Sequence, residues 1–346
     1  MEAVLFVGHG SKDSAGNNEV RAIIEAIRGR LDVPIVETCF LEFEPPGLIS
    51  GMEACVRQGA TRVGVVPIML FTAGHAKIHI PAAIDDMKLK YPDVVFEYGR
   101  PIGVHELVLT ILQERMNEGG YARQGEQSLG GADGRSRSDV AVLVIGRGSS
   151  DPDANSDLFK MSRLLWERLD VKLVETAFIG VTAPLMDEGV ERCLKLGAKH
   201  VYVLPYFLFT GVLIKRMEQF VEDLRVQYPE HAFTLAPYFG FHPMLQEVLR
   251  ERAIEALRGE AKMNCATCQY RLAAMEHIDH HHHHDHEHGH DHHHHHHHDH
   301  SHGHDHHHHH DHSHEHSHGH DHHDHSGEDD HEHKPAEKVL IQAVKP

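Results

Sequence analysis

Short β-branched and apolar runs recur along this chain, with helically spaced segments between them. The runs at about 3–8, 34–40, 62–67 and 94–97 read as strands. In the stretch "NNEVRAIIEAIRGRL", Val20, Ile23, Ile24, Ile27 and Leu31 fall on one face of a helix, and the residues between them are mostly polar. The same reasoning predicts helices over about 46–59, 76–90 and 104–118. Strand–helix alternation of this kind predicts an α/β fold with a mainly parallel sheet covered on both faces. Right-handed crossovers then put ligand sites at the carboxyl ends of the strands.

The pattern is written twice. At an offset of 138, "VPIVETCF" (33–40) lies over "VKLVETAF" (171–178), and "QGATRVGVVPIMLFTAG" (58–74) over "LGAKHVYVLPYFLFTGV" (196–212). After a one-residue slip, "KYPDVVF" meets "QYPEHAF" and His105 meets His242. Self-similarity over so long a stretch marks an internal duplication. The resulting division is a first unit over 1–118, a flexible linker over 119–138 rich in Gly, Ser and charge, and a second unit over 139–259. A CxxC segment over 260–276, a His/Asp-rich tail over 277–333 and a short extension over 334–346 follow.

Composition changes the picture only at that tail. Residues 277–333 hold 34 of the 41 histidines, 14 acidic residues and no Lys or Arg. The remaining chain has 38 acids against 33 bases, so the formal charge of −19 belongs mainly to the tail. No basic stripe points to nucleic acid. No apolar run reaches the roughly 18 residues that a membrane span needs. The opening "MEAVLFVGHG" lacks the pattern of a secretory signal. Five cysteines, an odd and sparse set, argue against a disulfide scaffold. The expectation is a soluble cytoplasmic protein.

Candidate chemistry sits at the strand ends. "GHGS" (8–11) follows the first strand, and "GRGS" (146–149) follows its counterpart. Glycines there let backbone approach a ligand closely. His9 lies in the first turn. His75, in "GHAKIHIP", follows the third strand. First and third strands are commonly neighbours in such sheets, so the two imidazoles are expected over one crevice. Paired imidazoles suit a borderline divalent metal such as Co, Ni, Fe or Zn, and one can accept a proton near neutral pH. A lone histidine is often only a packing or capping residue. The second unit has Arg147 and Leu213 at the matching places and cannot form the same pair. Arg147 is either a carboxylate-holding group or a turn residue. Lys12, Lys77 and Arg100 are candidate cations near the strand ends.

With "GHGS" and "GHAKIHIP" in this spacing, the chain resembles the class II chelatases of the long CbiX type. The resemblance covers about residues 1–258 and reaches into the tail. It implies two duplicated, chelatase-like (flavodoxin-like) domains followed by a disordered tail. It also implies a lyase that inserts Co(II) into sirohydrochlorin, an octacarboxylate tetrapyrrole, in anaerobic cobalamin synthesis. Iron insertion for siroheme is the alternative within the family, since imidazole does not choose between the two ions. The resemblance makes His9 and His75 the metal-holding and proton-accepting residues. It puts substrate contacts at Glu44, Leu70, Phe71, Thr72, Ala73 and Gly74. Glu42, His79 and Arg147 are accessory candidates. His79 stands where many members carry an acid, so it is either a further metal contact or a helix-face residue.

"MNCATCQYR" (263–271) carries a CxxC, which is a redox pair, half a zinc site or part of an iron–sulfur site; with no strand before it, the spacing favours the zinc or cluster site. The resemblance assigns Met263, Cys265 and Cys268 to an M-x-C-x-x-C element associated with an Fe–S cluster. Two thiolates do not complete such a site, so either a homodimer shares it or other ligands join. The histidine tail is expected to be disordered and to bind further divalent metal, as a reservoir or as a solubilising segment. A reading of another class, a His-rich metal-storage protein or metallochaperone, makes the tail the function. It leaves the pairing of His9 with His75 unexplained.

Overall fold

The computed structural model describes residues 1–72, 79–121 and 137–260. The linker core, the CxxC segment, the histidine tail and the last extension lie outside the described residues. The first repeat runs β1 (Glu2–Gly8), α1 (Ser14–Arg28), β2 (Ile35–Phe40), α2 (Leu48–Arg57), β3 (Arg62–Pro67), α3 (Ile80–Lys90), β4 (Val95–Tyr98), α4 (Glu106–Glu118). The second runs β5 (Val140–Gly146), α5 (Pro152–Trp166), β6 (Leu173–Phe178), α6 (Met186–Lys195), β7 (His200–Pro205), α7 (Val212–Gln227), β8 (Ala232–Leu235), α8 (Pro243–Leu257). Each repeat forms a four-stranded parallel sheet, ordered β2-β1-β3-β4 and β6-β5-β7-β8.

The central strands β1 and β5 are buried along nearly their whole length, which accounts for their unbroken apolar runs. Helix α1 turns Val20, Ile23, Ile24 and Ile27 inward and is capped by Asp13, whose carboxylate accepts from the Ala15 amide. The matching Asp151 caps α5 on the Asp153 amide. The first and third strands of each repeat are neighbours. Val7 pairs with Pro67 and Ile145 with Pro205, so both strands end at one level.

The repeats do not close on themselves. Helix α8 of the second repeat packs on β3 of the first sheet, and α4 of the first packs on β7 of the second. A Cβ at Gly64, in β3, would lie 3.3 Å from Ala256 and Leu257 of α8, so the absent side chain makes room for the incoming helix. The matching position in β7 is Tyr202, buried and edge-on to Tyr121 at 6.1 Å. The exchange produces one apolar core built from both repeats, containing Val4, Phe6, Ile111, Leu112, Val142, Val144, Val248 and Leu249. Separate outer cores cover the far face of each sheet. Cys39, Cys55 and Cys193 lie in these outer cores. Burial pushes their thiols up, to about 12 for Cys55 and Cys193, so they pack as small apolar groups.

Two reciprocal clasps hold the exchanged helices. The Nδ1 atom of His105 accepts from the Leu107 amide, and its Nε2–H reaches Glu251 of α8 at 3.0 Å. His242 does the same with the Met244 amide and Glu114 of α4, at 2.9 Å. Arg252 donates to the carbonyls of Pro101 (3.1 Å) and Ile102 (2.7 Å), while Arg115 donates to the carbonyl of Phe239. Among the described residues no helix is long and apolar enough to cross a membrane.

Candidate active site at the strand ends

The chain leaves β1 through a turn that only glycine permits. Gly10 has φ +88°, and a Cβ there would fall 1.8 Å from the Glu42 carbonyl oxygen. Gly148, in the matching turn after β5, has φ +87° and the same conflict with the Gly180 carbonyl at 2.0 Å. A side-chain clamp fixes each turn. The Ser11 amide donates to Asn17 Oδ1 (2.9 Å), Asn17 Nδ2 donates to the Ser11 carbonyl (2.8 Å), and Ser11 Oγ accepts from the Asp13 amide (3.0 Å). Ser149, Asn155 and Asp151 repeat these bonds at 3.0, 2.7 and 3.0 Å. The sequence reading passed over Asn17. Its signal was present as a repeated S-x-D-x-x-x-N, in "SKDSAGN" and "SSDPDAN".

Both turns open on one cleft of about 610 Å³. His9, Ser11 and Lys12 line it from the first repeat, and Arg147 and Ser149 from the second. Ile68, Leu70, Phe71, Tyr206, Leu208 and Phe209 form apolar walls. Phe71 and Tyr206 stack across the repeat boundary with centroids 5.2 Å apart and planes within 4°. Burial pushes the Tyr206 phenol well up, so it stays neutral, and its hydroxyl has no hydrogen-bond partner among the described residues. Lys12 lies over the ring of Phe43, which is held at φ +64° on the cleft rim. Among the described lining residues there is no carboxylate, and the fully charged side chains are Lys12 and Arg147.

His9 is half-buried, with Nδ1 3.1 Å from the Gly10 carbonyl. A carbonyl only accepts, so Nδ1 carries a proton, and in the neutral ring the lone pair is then on Nε2. Arg147 Nη1 lies 3.5 Å from that Nε2, on the cleft side. A neutral imidazole can give that Nε2 lone pair to a proton or to a divalent ion, one at a time.

The other expected site residues divide three ways. Leu70 and Phe71 line the cleft, and Thr72 follows them without lining it. Ala73, Gly74, His75 and Lys77 lie outside the described residues, as do Cys265 and Cys268. Glu44 accepts from Asn17 Nδ2 at 3.0 Å and pairs with Arg21, and it is not among the described residues lining the cleft. Glu42 lends its amide to the His9 carbonyl at 3.0 Å, and His79 is exposed at the N-terminus of α3. Arg100 is not a site cation. It follows the edge strand β4 and makes a two-point ion pair with Glu255 of α8, at 2.9 and 3.1 Å, inside the repeat interface. Its guanidinium is committed to Glu255, which it shares with Arg252 where α8 crosses, and strand position alone did not reveal that.

The two parallel sheets of the duplicated α/β body thus end at one imidazole-bearing cleft. The chain belongs to the CbiX family, whose model matches residues 3–119 and again 141–256. It is 61% identical over 282 residues to a sirohydrochlorin cobaltochelatase of Priestia megaterium, covering 81% of this chain and 88% of that one. It is 40% identical over 249 residues to a sirohydrochlorin ferrochelatase of the same organism, covering 72% and 88%. Among solved structures, SirB from Bacillus subtilis with Fe3+ superposes with a TM-score of 0.63 at 36% identity, over 74% of this chain and 95% of that one.

Proposed function

We propose that the protein inserts Co(II) into sirohydrochlorin, with His9 and His75 holding the ion and accepting pyrrole protons, as a step of anaerobic cobalamin synthesis. The observation that carries this reading is the composition of the cleft. Flat apolar and aromatic walls suit the faces of a macrocycle, and Lys12 and Arg147, with no opposing carboxylate among the described lining residues, suit its anionic rim. The body as a whole is mildly acidic, so these cations give the cleft a local sign opposite to its surroundings.

Insertion exchanges two pyrrole N–H protons for one divalent ion. The entering ion takes the four ring nitrogens as ligands, and the two protons pass to bases at the macrocycle face. His9 Nε2 is such a base, held in that tautomer by the Gly10 carbonyl. Two imidazoles bind the ion loosely enough to give it up to four ring nitrogens, which a closed four-ligand site would not do. Leu70, Phe71, Thr72, Ala73 and Gly74 would border the ring. Glu44 would act indirectly, by fixing Asn17 and thereby the His9 turn.

Cobalt rests on similarity to the Priestia cobaltochelatase, and iron is favoured as the second reading by the ferrochelatase at 40% identity. An anaerobic absorbance assay of sirohydrochlorin with Co(II), Fe(II) and Ni(II) in turn separates them. Fastest turnover with Co(II) is expected, and faster turnover with Fe(II) would reverse the assignment. We further assign an Fe–S cluster to Cys265 and Cys268, either shared in a homodimer or completed by other ligands, and a metal-reservoir role to residues 277–333. Deleting 277–333 is expected to lower turnover at scarce metal and leave it unchanged at saturating metal.

A further inference from the structure

The second repeat faces the cleft with an arginine where the first presents its histidine, and the two side chains touch. We infer that Arg147 is a substrate-positioning residue: it binds a carboxylate of the anionic macrocycle, and in doing so it leaves the His9 Nε2 that it covers in the free protein. This rests on the proposed substrate class, not on which metal is inserted.

Three observations carry it. The contact is long, with Arg147 Nη1 3.5 Å from His9 Nε2, at the outer edge of hydrogen bonding and with a neutral acceptor. A carboxylate, which accepts two parallel charge-assisted bonds from a guanidinium, is a far stronger partner. Arg147 is also unsatisfied as a charge. Arg21 and Lys215, on either side of the His9 turn, are paired with Glu44 and Asp13, whereas among the described residues no carboxylate pairs with Arg147. Finally, the side chain is exposed but rooted in a rigid turn, because Gly148 and the Ser149–Asn155 clamp fix the backbone beside it. A fixed root under an uncommitted head is the arrangement that positions a ligand.

The lone pair on Nε2 makes the two states exclusive. It cannot accept from Arg147 and also take a pyrrole proton or an incoming ion. Arrival of a carboxylate draws the guanidinium away and opens the base at the moment the macrocycle is seated. The degenerate repeat, which carries no histidine pair of its own, thereby holds half of the site.

The test uses the full-length protein without metal. Binding of sirohydrochlorin and of its methyl ester, in which the carboxylates are neutralised, is followed by absorbance in wild type, Arg147→Met and Arg147→Lys. Arg147→Met is expected to weaken binding of the free acid roughly tenfold to a hundredfold. Arg147→Lys should recover part of the loss, and the ester should bind wild type and Arg147→Met equally. In turnover, KM for the tetrapyrrole rises by the same factor while kcat changes much less. Acylation of His9 by diethyl pyrocarbonate, read at its own peptide, is expected to be several-fold faster in Arg147→Met. Unchanged acid binding, or equal loss for acid and ester, overturns carboxylate binding, and equal acylation rates overturn the covering of Nε2. A wild-type protein that binds the acid but inserts no cobalt refutes the insertion reading and leaves this one standing.

Discussion

The turn after β1 and the turn after β5 are nearly the same object with different heads. Each has a left-handed glycine pressed against a carbonyl, a serine amide held by an asparagine four residues into the next helix, and an aspartate cap. They differ where the side chain enters the cleft, with His9 in one and Arg147 in the other. The clamp residues answer to backbone geometry, which both sheets impose alike. The head answers only to what occupies the cleft, so the two copies were free to part there. A shared cleft also means that they did not become an active and an idle half: each supplies one wall.

Substitution of the heads should have the largest effect. His9→Ala is expected to lower insertion at least about a hundredfold, with the proposed metal binding by the tail intact. A storage protein would be insensitive to this change, and an active His9→Ala protein would remove the proposed chemistry.

Next come the turns themselves. Gly10→Ala and Gly148→Ala each force a Cβ into a carbonyl oxygen and a strained φ, at a cost of about 3 kcal/mol. Urea unfolding should show similar losses for both. A clear inequality would mean that the two turns are not the same scaffold.

The helix exchange can be probed at its asymmetric point. Gly64→Val places methyl groups against Ala256 and Leu257 and should destabilise by roughly 1–3 kcal/mol. Tyr202→Phe, at the matching place in β7, should change stability far less, and equal losses would show that the exchange is not tighter in the first sheet.

The smallest effect is a pH dependence. Burial pulls the His105 imidazole below its usual value, against the opposing pull of Glu251. Its Nδ1 already accepts from the Leu107 amide, so the folded protein resists protonation there. As pH falls below about 6.5, the unfolded chain takes up this proton first. The contribution is therefore complete at neutral pH and is lost on acidification. His105→Asn keeps a cap acceptor without a titrating ring, and its stability between pH 7.5 and 5.5 should fall less than that of wild type. An unchanged slope would clear His105 of the effect.

Much of this was legible in advance because it is local. The strand runs, the face of α1 and the placement of His9 just past β1 follow from apolar periodicity and glycine-bounded turns, and the structure has them there. The clasps were legible only in outline. His105 and His242 aligned between the repeats, and a Glu-Arg pair follows each nine and ten residues later, at Glu114-Arg115 and Glu251-Arg252. Nothing in that spacing said that each histidine would reach the other repeat's glutamate. Arg100 misled for the same reason: its position after a strand was read correctly, and its partner Glu255 is 155 residues away.

Local pattern is enough to specify two copies of a parallel α/β unit and the residues at their strand ends, since periodicity and turn chemistry act over a few residues. The tertiary structure alone decided that α4 and α8 would cover each other's sheets and that Arg147 would meet His9 across 138 residues of chain. Those contacts depend on whole helices docking onto a foreign surface shaped by Gly64 and Tyr202. The burial that drives them is non-directional, so it records in the sequence that a face must be covered but not which element covers it.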